Sequence, residues 1–344
     1  MLTLHKQPDR SQVYRESMPF KFDGELGCLC VFDPDIISAV FRSDAFDVID
    51  FAGQYRYITD HTSLDFTATA NVFDHVPLAN EGALHKKLRA EMAAIVADPS
   101  REKTREIEEF TAAHVARLFV PGRTIELLDD LADPLFVRLF TLWLGVDHAA
   151  FSRESHVSQA FDMKMSLGRR AAINRDVDKL TCAFAAQAAA LATSPGMATA
   201  MNVLGNDTLK GSIALSLWEI VARNPGRRLD EIDYPANYPS TGVPFIERVA
   251  RQDIEIAGMA VPRGQRVRLM LDATAQHVSG DESDLLFGRG RHLCLGKPMA
   301  LAIWRQLTAT LATLPLRCTA GDLKMRSGDY AFNYPQHARI SIDD

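Results

Sequence analysis

The sequence predicts a mainly α-helical fold with small β-sheets, and three observations support this prediction. Helical periodicity recurs from Glu81 to about Ala192, and a further long helical run extends from Met197 to Arg223. Strand-like runs are short and lie in the first part and the last third of the chain. Because we find no internal repeat, low-complexity segment or linker, residues 1–344 are predicted to form one domain.

The first elements are short strand-like runs. FKFDGELGCLCVFD alternates between two faces, so Cys28 and Cys30 are interpreted as small hydrophobic residues on one face of a strand, and no metal is assigned to them. A helix is predicted from Glu81 to Ala97, because four apolar residues recur there at helical spacing. Further helices follow, interrupted by a VPGR turn and an LGVDH turn.

The long helical run ends at Pro225 and Gly226, which stop helices. An irregular, proline-rich stretch follows, LDEIDYPANYPSTGVPF, and then two strand-like runs, DIEIAGMAV and QRVRLML, joined by a PRG turn. The last predicted elements are a helix from Leu295 to about Leu314 and strands near Leu316–Cys318 and Arg339–Ile342.

Composition excludes several classes of protein. A formal charge of −6 and a pI near 5.9 provide no overall basic field for nucleic acid. No stretch approaches 18 uninterrupted apolar residues, and the first residues, MLTLHKQPDRSQ, lack a signal-peptide core. Five cysteines, an odd number, favour a reducing compartment over a disulfide framework. We therefore predict a cytoplasmic protein without a membrane or nucleic-acid partner.

A ten-residue motif, FGRGRHLCLG from Phe287 to Gly296, surrounds one cysteine with glycines and cations. Cys294 lies at or just before a predicted helix N-terminus, where unpaired N–H groups and the helix dipole stabilise a thiolate. The alternative is an inert, buried structural thiol. The glycines permit close backbone approach to a flat ligand, and Arg291 and His292 are placed to reach carboxylates of that ligand.

The motif resembles the haem-binding signature of the cytochrome P-450 superfamily. Six positions match, namely Phe287, Gly288, Gly290, His292, Cys294 and Gly296. The resemblance implies a cytochrome P-450-like fold and heme b (iron protoporphyrin IX) as cofactor. It also implies that Cys294 is the proximal iron ligand, that His292 holds a propionate and that Phe287 packs beneath the thiolate.

Two upstream segments resemble further parts of the same family. His85 and Arg89, in HKKLR, resemble the propionate-binding pair of a family helix, because residues four apart share a helix face. Taken alone, such a pair is usually a solvated helix face. Arg248, in RVARQDIEIAG, resembles the strand arginine that meets a haem propionate in family members.

LGNDT, from Leu204 to Thr208, resembles the oxygen-activation motif of the family. The resemblance implies that Thr208 donates a proton or positions water and that Asp207 connects this relay to solvent. Gly205 would let the helix approach the haem. The alternative is that GNDT begins a helix, with Asn206 or Asp207 as N-cap.

The chain departs from the family pattern in three places. Leu204 replaces the small residue usual at the first motif position. The family's Glu-x-x-Arg motif is absent between Thr208 and Arg248, and the equivalent stretch is near Pro235 to Tyr238. The chain is also short, and the shortening is expected between Asn224 and Pro239 and in QHVSGDESDLL. We predict a trimmed member of the family.

The resemblance implies a monooxygenase that uses O2 to oxidise a small or medium organic substrate, free or carrier-bound, in a biosynthetic or specialised pathway. Because no flavin or iron–sulfur domain is fused to the chain, a separate ferredoxin or flavodoxin is expected to supply electrons. A basic docking patch for that carrier is predicted from Lys86, Lys87, Arg289, Arg291 and Lys297.

Substrate contacts are expected from Tyr57–Ala79, Phe161–Ala172 and Val243–Ile246, whose apolar residues could equally be core residues. Two other functions stay open. The same fold could serve a peroxygenase, dehydratase or oxidative coupling enzyme, which Leu204 would favour by impeding dioxygen. The chain could also be a non-catalytic haem sensor or carrier.

Overall fold

The structure is a computed structural model that describes residues 19–97, 101–151, 157–162, 165–271, 285–326 and 332–343. These residues form two compact units. The first unit contains the described chain up to Arg89 together with Val243–Cys294, and the second unit contains Ala90–Gly242 together with the described residues from Leu295 onwards.

A five-stranded mixed sheet organises the first unit. The strands of this unit are β1 (Phe20–Asp23), β2 (Cys28–Val31), β3 (Phe46–Asp47), β5 (Phe245–Ala250), β6 (Ile254–Ile256), β7 (Met259–Val261) and β8 (Arg266–Met270). The order of strands in the sheet is β1-β2-β8-β5-β3, and within it only the β2–β8 pair is parallel. Strands β6 and β7 form a separate hairpin.

Strand β2 is buried on both faces. Leu29 and Val31 belong to the larger hydrophobic cluster of this unit, whereas Cys28 and Cys30 pack with Phe32 in a smaller cluster. The two cysteine sulfurs lie 3.9 Å apart, and neither residue is exposed. The predicted role of these cysteines as small hydrophobic residues on one strand face is therefore confirmed.

The first unit also contains three short helices that the sequence analysis did not identify. They are α1 (Pro34–Arg42), α2 (Phe51–His61) and α3 (Thr67–Phe73). Helix α1 begins as helix-start signals predict, because Asp33 caps it and Pro34 occupies its first turn. Phe66 and Phe73, which lie in a predicted substrate-contact segment, are fully buried against Tyr55, as the core alternative expects.

Helices dominate the second unit. They are α5 (Glu102–Leu118), α6 (Asp133–Leu144), α7 (Leu167–Ala185), α8 (Pro195–Arg223) and α9 (Lys297–Leu311), and a π-helical turn, Leu127–Ala132, leads into α6. A three-stranded sheet of order β4-β10-β9 completes it, with β4 (Thr124–Glu126), β9 (Cys318–Met325) and β10 (Pro335–Ile342). Helix α4 (Gly82–Val96) matches the helix predicted from Glu81 to Ala97.

Helix α8 is the longest helix described, and 18 of its residues are buried. The Ser194 side chain accepts a hydrogen bond from the backbone N–H of Met197, and Pro195 occupies the first turn. Because the helix begins at Pro195 and continues without interruption to Arg223, GNDT lies inside it. The alternative that GNDT begins a helix is therefore wrong, and the predicted long helix is confirmed.

Pro235 to Tyr238, the stretch predicted to correspond to the Glu-x-x-Arg motif, forms no helix. It packs on α9 instead. The indole N–H of Trp304 donates to the carbonyl of Pro235 at 3.0 Å, the Tyr238 hydroxyl donates to the carbonyl of Ala300 at 2.8 Å, and the two rings lie 4.7 Å apart. Aromatic packing and two hydrogen bonds thus hold this segment without an ion pair. The other predicted site of shortening, QHVSGDESDLL, lies almost wholly outside the described residues.

Within the described ranges, no helix has both the length and the apolar character needed to cross a lipid bilayer.

Candidate functional site

The signature segment folds as a closed loop in the first unit, and we call Phe287–Cys294 the Cys loop. The N–H of Cys294 donates to the carbonyl of Phe287 at 2.8 Å, which joins the two ends of the loop. A single 3₁₀ turn, Gly290–His292, lies between them. The Cys294 side chain is exposed, so the alternative of an inert buried thiol is wrong.

Two glycines allow this loop to close. Gly288 has φ = +70° and Gly290 has φ = +66°, in the left-handed region that side chains disfavour. Their surroundings differ, because a Cβ at Gly288 would meet its nearest atom at 3.5 Å, whereas a Cβ at Gly290 would lie 2.7 Å from the carbonyl oxygen of Phe41. A glycine is therefore required at position 290 for two reasons, the positive φ of its backbone and the closeness of the Phe41 carbonyl oxygen.

This difference predicts unequal effects of two similar substitutions. Gly288→Ala should lower the free energy of unfolding by about 1–2 kcal/mol through backbone strain alone. Gly290→Ala should lower it further, because the backbone at Phe41 must also move. Urea unfolding of the apoprotein, followed by circular dichroism, measures both values. Gly24→Ala is the control, since a Cβ there has open space and no positive φ. Equal losses for the two variants would contradict this account.

Helix α4 contributes two of the predicted site residues, and both contact the Cys loop. The Arg89 guanidinium donates to the carbonyl of Leu293 at 2.7 Å, one residue before the cysteine. The His85 ring is buried and lies 4.3 Å from the His292 ring. Burial lowers the pKa of Arg89, while the nearby Cys294 thiol acts in the opposite direction. Arg89 is thus close enough to stabilise a thiolate at Cys294.

Strand β5 supplies the buried cation Arg248, which is only 4% exposed. Its guanidinium donates to the carbonyl of Glu247 at 2.8 Å and lies 5.6 Å from the Phe41 ring centre. Burial lowers the pKa of Arg248 to about 10, with Glu81 acting in the opposite direction. A buried guanidinium has five N–H donors, and such a group suits an anionic ligand.

Glu81 is a central residue of this cluster that the sequence analysis missed. Its carboxylate accepts hydrogen bonds from Arg291 at 3.1 and 3.2 Å, from His292 at 3.3 Å and from the N–H of Val48 at 3.2 Å. Burial raises the pKa of Glu81, but the bonds from His292 and Arg291 outweigh this effect and lower it to about 2. The sequence feature that could have identified Glu81 is its acidic side chain four residues before His85.

The expected role of Arg291 needs correction. We predicted that Arg291 reaches ligand carboxylates and contributes to a basic docking patch. The structure pairs it with Glu81 and with Asp44, and its guanidinium also donates to the carbonyl of Phe46 at 2.7 Å. Because two protein carboxylates neutralise its charge, Arg291 provides little net charge to a ligand or a partner.

The remaining polar atoms of the cluster can serve a ligand that carries carboxylates, and Nδ1 of His292 donates to such a ligand only from the protonated ring, because Nε2 already donates to Glu81. Nε2 of His85 and Nδ1 of His292 are both buried and have no hydrogen-bond partner among the residues that the structure describes. Arg248 is buried in the same unit and acts electrostatically on His292, whose loop ends in the exposed Cys294. Buried polar atoms of this kind usually have a partner, so their presence here indicates that one is to be supplied. Haem, with two propionates and an iron that accepts a thiolate, fits these residues.

The other predicted site residues belong to the second unit. Asp207 is fully buried in α8, and the Thr208 hydroxyl donates to the carbonyls of Leu204 at 2.8 Å and Gly205 at 3.2 Å. A Cβ at Gly205 would lie 2.7 Å from the Phe140 ring, which gives this glycine a packing reason of its own. Gly296, directly before α9, has an ordinary φ of −76°. Roles for these residues toward a cofactor stay predictions.

Burial raises the pKa of Tyr334, and the negative charge of Asp207 raises it further. The buried carboxyl of Asp207 therefore has a buried phenol among its neighbours. The structure thus groups the predicted residues in two sets. His85, Arg89, Arg248 and the Cys loop come together in the first unit, and Asp207 and Thr208 adjoin one another on α8.

No protein-family model matches the chain, and no curated protein sequence matches it either. Solved structures do resemble it. P450BioI, crystallised with acyl carrier protein ligated to hexadec-9Z-enoic acid, has a TM-score of 0.78 at 17% identity, with 99% of this chain and 100% of that chain covered. Cytochrome P450epoK bound to epothilone B has a TM-score of 0.74 at 16% identity, with 100% and 98% covered.

CYP109B1 from Bacillus subtilis has a TM-score of 0.72 at 18% identity, with 96% of this chain and 98% of that chain covered. The match therefore extends over nearly the whole chain in all three comparisons. At such low identity the likeness establishes the fold, and the mainly α fold class predicted from the sequence is confirmed.

Proposed function

We propose that this chain, which has the cytochrome P-450 fold, is a haem-thiolate monooxygenase that inserts one oxygen atom from O2 into a small or medium organic substrate. One observation carries the proposal: the loop that ends in the exposed Cys294 brings His292 against the buried His85 and within electrostatic reach of the buried Arg248. An unrelated structural loop would have no reason to combine an exposed sulfur with buried cationic side chains.

In this proposal the cofactor is heme b. Cys294 would be the ligand of its iron, and Arg248, His85 and His292 would hold its carboxylates. The haem, when bound, supplies the chemistry that activates O2 and transfers an oxygen atom. Arg89 would hold the loop beside the cysteine and add a nearby positive charge, because its guanidinium donates to the carbonyl of Leu293, directly before Cys294.

Proton supply is assigned to α8. Asp207 is a buried carboxyl, and Thr208 carries a hydroxyl whose hydrogen is bonded to helix carbonyls. A hydroxyl oriented in this way can still accept a hydrogen bond and so position a water molecule. We therefore assign Thr208 the placement of water and Asp207 the proton transfer to it, as general acid–base groups.

Partners follow from the reaction. Electrons would come from a separate ferredoxin or flavodoxin. With Arg291 neutralised, the exposed Lys86 and Lys87 of α4 are the better candidates for attracting an acidic carrier. The substrate is proposed to be a free or carrier-bound organic molecule, in keeping with the ligands named for P450BioI and P450epoK.

The test combines a spectrum with turnover. Purified wild-type protein, expressed with ample haem precursor, should show the thiolate-type absorbance band in its reduced carbon monoxide complex. With a ferredoxin, its reductase and a panel of organic compounds, it should then consume O2 and form oxygenated products. Activity with peroxide alone would select a peroxygenase. Haem binding without turnover in either system would select a sensor or carrier, and a colourless protein would refute the proposal.

A further inference from the structure

The strongest unassigned feature is the carboxylate of Glu81, at the start of α4. It belongs to neither the predicted haem ligands nor the α8 residues, yet it contacts two separate segments, the Cys loop and the chain at Val48. Its two oxygens accept hydrogen bonds from Arg291, His292 and the N–H of Val48. The side chain is 26% exposed, so these contacts are partly shielded from water.

Arg291 extends this arrangement to the other side of the Cys loop. Its Nε and one terminal nitrogen donate to Glu81, its other terminal nitrogen donates to Asp44 at 2.6 Å, and the carbonyl of Phe46 accepts at 2.7 Å. The planar guanidinium therefore connects the Cys loop to α4 and to the segment before β3. Because three acceptors bind different edges of this planar group, they fix both the position and the orientation of the Arg291 side chain.

The two acidic partners of Arg291 differ in burial. Asp44 is 94% exposed, so its attraction is weakened by water and salt. Glu81 is only 26% exposed and makes two bonds to the guanidinium. Glu81 also contacts His292, and that histidine lies two residues from Cys294. Of the two carboxylates, Glu81 is the one able to hold the loop.

We propose that Glu81 is a positioning residue, which fixes the Cys loop through Arg291 and His292 so that Cys294 and His292 can hold the haem. The proposal rests on the function proposed above. Residues that orient metal ligands commonly change metal affinity by about 10- to 100-fold when they are replaced. Loss of the Glu81 charge should therefore weaken haem binding, although Glu81 is not among the residues proposed to contact the haem.

The experiment compares Glu81→Gln with Asp44→Asn. Each variant removes one negative partner of Arg291, and both are close to isosteric. Haem release is measured by transfer to excess apomyoglobin, and the thiolate-type band of the reduced carbon monoxide complex is followed over time. Glu81→Gln should release haem about 10-fold faster or more and lose the thiolate-type band sooner. Asp44→Asn should behave as the wild type does.

A second pair of variants tests the route of the effect. If Glu81 acts largely through Arg291, the loss caused by Glu81→Gln should be much smaller in an Arg291→Gln background than in the wild type. Glu81→Asp, which keeps the charge on a shorter side chain, should restore part of the haem retention. This series stays informative even if Glu81→Gln alone folds poorly.

The outcomes separate the inference from the proposed function. A wild-type protein without a thiolate-type band would refute the function and the inference together. A normal wild-type band, with equal haem release from Glu81→Gln and Asp44→Asn, would overturn the inference alone. Slower haem release from Glu81→Gln would also overturn it, since Glu81 would then compete with the haem carboxylates for His292 and Arg291.

Discussion

Cys294→Ser is expected to lose the thiolate-type band of the reduced carbon monoxide complex and all monooxygenase turnover. Serine differs from cysteine by one atom, and the side chain is exposed, so the fold should be unaffected. A serine hydroxyl stays protonated near neutral pH and cannot donate electron density to iron as a thiolate does. The carboxylate-binding residues remain, so the variant should still bind some haem, but with a different spectrum.

Cys182→Ser is the matched control, because Cys182 is the other exposed cysteine described and lies on α7. It should keep the wild-type band and the wild-type turnover. Equal far-ultraviolet circular dichroism of both variants would confirm that the fold is retained. An unchanged thiolate-type band in Cys294→Ser would disprove the assignment of the iron ligand and, with it, the role given to the Cys loop.

Local sequence signals explain what could be predicted. The Cys loop depends on glycines at positive φ and on a cysteine just before a helix, and both features are visible within ten residues. Helices α4, α8 and α9 follow apolar periodicity and helix-start and helix-stop residues, so their bounds agree with prediction to within a few residues.

Contacts between distant segments explain what was missed. Glu81 and Arg291 are 210 positions apart, so neither residue by itself reveals that they pair. The same holds for Tyr238 and Trp304, whose rings pack together although the residues are far apart in the sequence. Helices α1–α3 were missed because they are short, and short helices carry too few turns for a clear periodic signal.

Arg248→Met is expected to change haem affinity and apoprotein stability in opposite directions. Arg248 is 4% exposed and its guanidinium donates to the carbonyl of Glu247, a neutral acceptor, so burying its charge lowers the stability of the fold. Methionine fills a similar volume without that cost. The free energy of unfolding of the apoprotein should therefore stay equal or rise, as measured by urea unfolding.

Haem retention should fall in the same variant, because the propionate would lose a buried charged donor. Removing one partner of such a pair costs about 2 kcal/mol or more, which corresponds to about 30-fold weaker binding. Arg251→Met is the control, since Arg251 is 55% exposed and pairs with Asp47 at the surface. Its effects on both quantities should stay within about 0.5 kcal/mol. If Arg248→Met destabilised the apoprotein and left haem release unchanged, Arg248 would be a structural residue of the sheet and would have no part in holding the cofactor.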